Sequence, residues 1–351
     1  MKSSTGQYFQ ALDHVRALAA FVVFAWHFIH FQQGQLAGPM AFPLSLFTEG
    51  HTGVAIFMTL SGYLFARLLD NRKLLFIPFL WNRVLRLAPL LVLVFTLLAL
   101  QRWWVGALNA DFFRTLLEGF VRPVWPNGGW SIAVEMHFYL VLPLLLWLAA
   151  RSPRYLLWVV AAAVALRLAV WQITGEVQSL AYWTLLGRID QFVLGIWFFH
   201  YRNALVGRGG WVALGVLAFL LFWYGFDAQG GFYVSPAYPS PSPVWVVITL
   251  FEGLAYGMFI AWYDGWFRQS DSRWATWVAA IGTYSYSIYL LHFFVVFEMP
   301  AFVHTRLFAL DNPYVLLLMA IPCFLLLVPL AWASYRWVES PFLRFRRRYI
   351  Q

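Results

Sequence analysis

An arginine and a histidine stand on one stretch of apolar sequence, LDHVRALAAFVVFAWHFIHF, Leu12 to Phe31. Arg16 and His27 are separated by eleven helical steps, which return to within about 20° of the same face roughly 16 Å further along. Arg16, Ala20, Val23 and His27 therefore form one stripe, extended at its ends by Asp13 and His30. Ionisable groups inside an apolar span are costly, so the stripe should face protein or a water-filled path rather than lipid. Histidine titrates near neutrality and is suited to general-base work. Taken alone, the pair equally fits an interfacial arginine and a buried, hydrogen-bonded histidine.

Other polar groups interrupt other apolar runs. They are Ser61 in MTLSGYL, Trp130, Ser131, Glu135 and Tyr139 in WSIAVEMHFYLVLP, Arg167 in the run 154–173, Arg188 and Asp190 in GRIDQFVLGIW, Glu252, and Tyr289 and His292 in SYSIYLLHFF. Ser131, Glu135 and Tyr139 share a helix face. At about 1.5 Å per residue, His27, Ser61, Glu135, Arg167, Arg188, Asp190 and Glu252 all fall roughly 9–13 Å below the outer edge, to within a turn of about 5 Å. His292 falls nearer the outer surface. The expectation is a shared polar chamber opening outwards, with Glu135 at the depth to orient the His27 imidazole. Arg16 is too far along its helix to touch His27 and belongs to the inner end, beside Asp13. Arg83 and Arg86, three apart, share a face. With Arg72 and Lys73 they suit a phosphate-bearing ligand, or are ordinary inner-side charge. A basic inner entrance, an outer chamber and a histidine between them imply chemistry across a membrane, with a donor from inside and an acceptor from outside.

The elements that position these groups must be membrane helices. The chain has 351 residues, 62% hydrophobic, 20% aromatic and 11% charged, against about 25% charged in a soluble domain. Runs long enough to cross occur near 14–31, 52–69, 87–104, 129–149, 154–173, 181–199, 210–226, 244–263, 275–297 and 313–336. The third is open to an earlier start near Ile77. The fold class expected is an all-α integral membrane protein of about ten transmembrane helices, as a single membrane domain over residues 1–351. With the N-terminus inside, the Lys and Arg residues fall on the inner side, Lys2 among them. The exceptions are Arg102, Arg114, Arg122 and Arg306 outside, and Arg167 and Arg188 within spans. That bias requires an even number of spans and both termini cytoplasmic. The first span reads as a retained signal-anchor. No internal repeat is evident, which argues against an inverted-repeat transporter.

The net charge of +9 does not indicate nucleic acid, because the basic residues sit in short loops between spans. The single cysteine, Cys323, excludes a disulfide within the chain and suggests no metal site. His27 and His30 lack an obvious third ligand, so no metal is expected. The outer loops are residues 32–51, rich in Gln, Gly and Pro; 102–128, with an interfacial helix near Asp111 to Phe120; and 227–243, rich in Gly, Pro, Ser and Tyr. Such loops suit a sugar-like partner, and equally an interfacial aromatic belt.

These motifs together resemble the membrane acyltransferase-3 family. The Arg16–His27 spacing within LDxxRAxA (Leu12 to Ala19) resembles its hallmark. FMTLSGYL resembles its F-x-x-SG segment, and Arg83 and Arg86 its R-x-x-R pair. WSIAVEMHFYLVLP resembles WSLxxExxFYxxxP. GTYSYSIYLLH (Gly282 to His292) and YRWVESPF (Tyr335 to Phe342) resemble its closing SYxxYLxH and ExP motifs. His14 and Val15 depart from the pattern, as do Met136 and His137. The resemblance covers nearly the whole chain in order, and no fused SGNH hydrolase-like domain is expected.

The resemblance implies an acyl-CoA-dependent O-acyltransferase in the bacterial inner membrane. Acetyl-CoA is the default donor, and a glycan or lipid-linked sugar is the acceptor. The CoA phosphates would dock at Arg83 and Arg86, helped by Lys73 and Arg16. The pantetheine arm would extend outwards, and His27 would take the proton of the acceptor hydroxyl as it attacks the thioester. Glu135 or a neighbour would hold the histidine tautomer. Polysaccharide assembly proteins are further partners to expect. Two rivals remain: an acyltransferase acting on a small secreted molecule, and a glycolipid transporter whose chamber binds without chemistry.

Overall fold

The computed structural model describes residues 8–31, 39–70, 72–234 and 237–351. Lys2, residues 32–38 of the loop expected at 32–51 and residues 235–236 of the loop expected at 227–243 lie outside that set. Among the described residues the architecture is all helical, with α1 (Gln10–Ile29), α2 (Gly53–Leu68), α3 (Phe76–Trp104), α4 (Gly129–Arg151), α5 (Tyr155–Thr174), α6 (Leu185–His200), α7 (Gly209–Ala228), α8 (Ile248–Trp266), α9 (Arg273–Thr283), α10 (Ser285–Leu291), α11 (Glu298–Arg306) and α12 (Pro313–Ser334). Short helical segments cover parts of the loops.

Among the described residues six stretches are long and apolar enough to cross a membrane: α1, α3, α4, α5, α7, and α12 continued to Leu343. A seventh arises if α10 and α11 are one span, bent by 53°. The protein is therefore multi-pass. The remaining expected spans coincide with helices of a different kind. α2 and α6 are each 16 residues long and bury most of their side chains, and α8 is 19 residues long and carries Glu252 and Asp264. The expected span at 275–297 is not continuous: it breaks at Tyr284 and again after Leu291. The long third helix does begin early, at Phe76. The helix expected in the 102–128 loop runs from Ala110 to Glu118, capped by Asn109, whose side chain accepts from Phe112 N.

α2 and α6 form the centre of the bundle, and their contact depends on glycine. A Cβ on Gly62 would lie 1.9 Å from the Phe192 carbonyl oxygen, and one on Gly195 would lie 2.0 Å from the Thr59 carbonyl oxygen. Each helix thus presses its backbone into the other at a bare α-carbon, as small residues permit in membrane bundles. The same device joins α1 to α9, where a Cβ on Gly282 would lie 1.8 Å from the Asp13 carbonyl oxygen. α12 passes into a π-helical turn, Tyr335–Glu339. The chain then folds back as a tail. Lys73 and Gln351 exchange backbone hydrogen bonds at 2.9 and 3.1 Å, and the Asn82 side chain holds both N–H and C=O of Arg347.

Candidate active site

A cavity of about 270 Å³ lies between α1, α2, α3, α4, α10 and the tail. Four arginines line it, Arg16, Arg83, Arg86 and Arg346, with Asp13 and Glu135 as carboxylates. Arg16 comes from α1, where it pairs with Asp13. Arg83 and Arg86 sit one turn apart on α3, with the Arg83 guanidinium beside the rings of Phe65 and Phe79. Arg86 Nη1 is 3.1 Å from Glu339 Oε2, and this carboxylate, fully buried, also accepts from Ser287. The π-helical turn aims Glu339 inwards; such turns recur at functional sites. Arg346 is delivered by the tail. Burial and the neighbouring Arg83 and Arg86 pull it down to about 10.

Further along the cavity, the Ser61 hydroxyl donates to Glu135 Oε1 at 2.9 Å. Tyr139 stands between Glu135 and Arg83 and interacts with both. Ser131 Oγ donates to the Gly128 carbonyl at 2.9 Å and lies 2.8 Å from the Tyr289 hydroxyl. Gly128 caps α4 in the left-handed region at φ 74°, a conformation that glycine adopts without strain. The cavity ends at these groups, with Phe57 and Val54.

His27 is not among the cavity-lining residues. It lies behind Tyr289: the Tyr289 ring is 5.9 Å from that of His292, which is 5.0 Å from that of His27. His27 Nδ1 is 2.9 Å from the Val23 carbonyl and 3.3 Å from His292 Nε2. The carbonyl requires a hydrogen on Nδ1, so the neutral ring carries its lone pair on Nε2. The rings of Trp26, Phe293 and Phe297 surround the imidazole.

The single outer chamber expected from depths is thus several separate networks. Glu135 does not reach His27; its partners are Ser61, Tyr139 and Arg83. Asp190 pairs with Arg167 at 2.6 Å, both fully buried, and accepts from Thr249 at 3.0 Å. Arg188 donates to the Tyr182 carbonyl and to Gln191, with its guanidinium over Trp130 and Tyr182. Gln191 in turn donates to Glu252. Trp130, Arg188 and Asp190 therefore belong to a packed network outside the cavity. Lys73 is exposed and held through its backbone to Gln351, so it does not line the cavity either. His137, a departure from the family pattern, bonds the Phe120 carbonyl at 2.6 Å.

Two features, Arg346 in the cavity and Glu339 behind Arg86, escape sequence reading. Arg346 reads there only as one more inner-side charge in the run Arg344 to Arg348. Glu339 belongs to the closing ExP motif, but its partnership with Arg86 is a tertiary contact with no sequence signal. A third cluster lies apart from the cavity. His51, 1% exposed, is 3.2 Å from Glu49 and walled by Trp26, Tyr182, Trp223, Phe232 and Trp245.

The family model described as an acyltransferase domain matches residues 9–336. BcsY of Komagataeibacter xylinus, described as a membrane-bound transacylase, is 27% identical over 311 residues, covering 80% of this chain and 71% of that protein. The peptidoglycan O-acetyltransferase OatA of Listeria monocytogenes is 25% identical over 389 residues. That match covers 95% of this chain but only 56% of OatA. No solved structure matches the chain significantly.

Proposed function

Since the chain belongs to the acyltransferase domain family, we propose that it transfers an acyl group, by default acetyl, from cytoplasmic acyl-CoA to a hydroxyl of an extracytoplasmic glycan or lipid-linked sugar. His27 is the general base in this reading. The observation that carries it is the His27 tautomer. Nδ1 is engaged by the Val23 carbonyl and His292, which leaves Nε2 as the basic atom. In the reaction Nε2 takes the hydroxyl proton as the oxygen attacks the thioester carbonyl. The tetrahedral intermediate collapses, the carbon–sulfur bond breaks, and the imidazolium returns its proton to the leaving thiolate. No net proton is gained or lost.

The donor's phosphates suit the end of the cavity that holds Arg83, Arg86, Arg346 and Arg16, where guanidinium groups offer charge-assisted bonds. The acyl-pantetheine arm then runs past Ser61 and Glu135 towards Tyr289. We place both termini in the cytoplasm and the protein in a bacterial inner membrane, crossed about ten times if α2, α6, α8 and the broken α9–α10 segment are counted. One relative's name, peptidoglycan O-acetyltransferase, favours a cell-envelope polymer as acceptor; the other's, membrane-bound transacylase, supports acyl transfer alone.

The test follows label from radiolabelled acetyl-CoA into membrane glycans, with mass spectrometry of glycans from cells with and without the protein. His27→Ala should abolish labelling while the protein stays in the membrane. Wild-type labelling by that variant would remove the base role. Movement of an unmodified glycan, with no mass difference, would indicate a transporter.

A further inference from the structure

We propose that His292 is the positioning residue of the base: its Nε2 lone pair accepts from His27 Nδ1 and shares the charge that His27 acquires when it takes a proton. The inference rests on the reading of His27 as general base, and names its partner as a second histidine rather than a carboxylate.

His292 follows α10 directly, at the start of the 3-10 turn His292–Phe294 that begins the break before α11. It is 1% exposed. Its Nδ1 is 2.6 Å from the Tyr289 carbonyl oxygen. Only an N–H satisfies that contact, so Nδ1 holds the hydrogen and Nε2 is bare. The bare atom is the one that faces His27, 3.3 Å from its Nδ1. Nδ1 of His27 must itself hold a hydrogen, because the Val23 carbonyl is 2.9 Å away. The two rings therefore form a directed chain. The one hydrogen on His27 Nδ1 is shared between the Val23 carbonyl and His292 Nε2, and His292 donates to the Tyr289 carbonyl. Every nitrogen in the pair has an assigned state, and only His27 Nε2 is left to meet a substrate.

A base that gains a proton also gains a charge, and a buried charge needs acceptors for its hydrogens. The groups around the pair supply them without a carboxylate. Among the described residues, no Asp or Glu oxygen lies within 4.0 Å of a nitrogen of either ring, and the nearby titratable groups are His30, which caps α1, and Tyr289 on α10. Val23 fixes the ring as a neighbour on the same helix would in any apolar span. His292 comes from a different helix, so the break after α10 sets the orientation of the base. The same residue touches Tyr289, which lines the cavity through which the donor arrives.

The test uses the full chain in membranes, with radiolabelled acetyl-CoA as donor and label in the glycan fraction as readout. His292→Phe keeps a ring of similar volume and removes one of the two acceptors that face His27 Nδ1. His292→Gln returns an amide oxygen near the position of Nε2. At matched protein level, His292→Phe should lower kcat by about 10–100-fold, the range expected for losing one hydrogen bond to a charged group. KM for acetyl-CoA should not change. The imidazolium loses an acceptor, so the acid limb of the pH profile should move to lower pH. His292→Gln should recover most of the rate and return the limb. Wild-type kcat and an unmoved limb in His292→Phe would overturn the assignment, as would a Gln variant no better than Phe. Ring-nitrogen NMR with labelled histidine gives a readout that needs no turnover, with His27 assigned by its own substitution. The pairing requires a protonated His27 Nδ1 whose signal moves in both His292 variants. An unprotonated Nδ1, or one indifferent to His292, would overturn it even if His292→Phe fails to accumulate. Survival of transfer in His27→Ala would instead remove the base reading, while the nitrogen signals still judge the pair.

Discussion

The Ser61 hydroxyl donates to Glu135 Oε1 at 2.9 Å, joining two helices whose contributing residues are 74 apart in sequence. The carboxylate is also the one that faces Arg83 through Tyr139. It therefore lies on the path proposed for the donor and not on His27. Glu135→Gln keeps an acceptor for Ser61 and removes the negative charge. Charge-assisted hydrogen bonds are worth about 1.5–3 kcal/mol, so kcat should fall about 10–100-fold. Membrane protein level should stay near wild type. Abundance that drops in step with activity would show that Glu135 only ties α2 to α4.

Arg83 and Arg86 should not behave alike. Arg86 is the partner of a fully buried Glu339 at 3.1 Å. Removing it strands that carboxylate, at a cost of about 3–5 kcal/mol. Arg86→Ala should therefore lose folded protein, measured by thermal melting in detergent. Adding Glu339→Gln should restore much of the loss, since coupled partners are not additive. Arg83 is surrounded by the rings of Phe65, Phe79 and Tyr349 instead. Arg83→Ala should keep stability and raise KM for acetyl-CoA by about tenfold, the lower end for one charge-assisted bond. An unchanged KM would return Arg83 to a role in topology.

Sequence spacing places Ser61, Ser131, Glu135, Tyr139, Tyr289, Arg16, Arg83 and Arg86, and all of them line one cavity. Spacing fails where azimuth matters. Rise per residue gives depth along a helix, but not which neighbour a side chain turns towards. His27, Glu135 and Asp190 fall at matching depths and still belong to three networks. Arg346 is invisible because its position depends on the tail folding back to Lys73 and Asn82. The broken span at α9–α10 is hidden because Tyr284 and His292 interrupt an apolar run without a glycine or proline at either break.

The contact of α2 with α6 leaves no room at Gly62. A methyl group there would lie 1.9 Å from the backbone oxygen of Phe192, which cannot rotate away. Gly62→Ala should force the helices apart and destabilise the protein by about 1–3 kcal/mol. Activity should fall further than stability, because Ser61 moves with α2. Gly225→Ala is the control: it lies in α7 with nothing within 4 Å of its added Cβ, and alanine favours a helix by up to about 1 kcal/mol. Equal melting temperatures for the two variants would contradict the close contact.

Burial and two neighbouring arginines lower the ionisation of Arg346 from its ordinary value to about 10. The sign follows from linkage. A lowered folded-state value means the charged form is disfavoured in the folded protein. At pH 7 the group is protonated both folded and unfolded, so it destabilises throughout the neutral range. The penalty fades only as pH rises through about 10. A bound anion would relieve it, because phosphate oxygens supply the missing counter-charge. Arg346→Gln should therefore raise the melting temperature of the ligand-free protein. It should also weaken acetyl-CoA binding and reduce the stabilisation that acetyl-CoA gives by mass action. Melting at pH 7 with and without acetyl-CoA separates the two effects. A variant less stable than wild type, with an undiminished ligand shift, would place Arg346 in the tail's anchoring and outside the donor site.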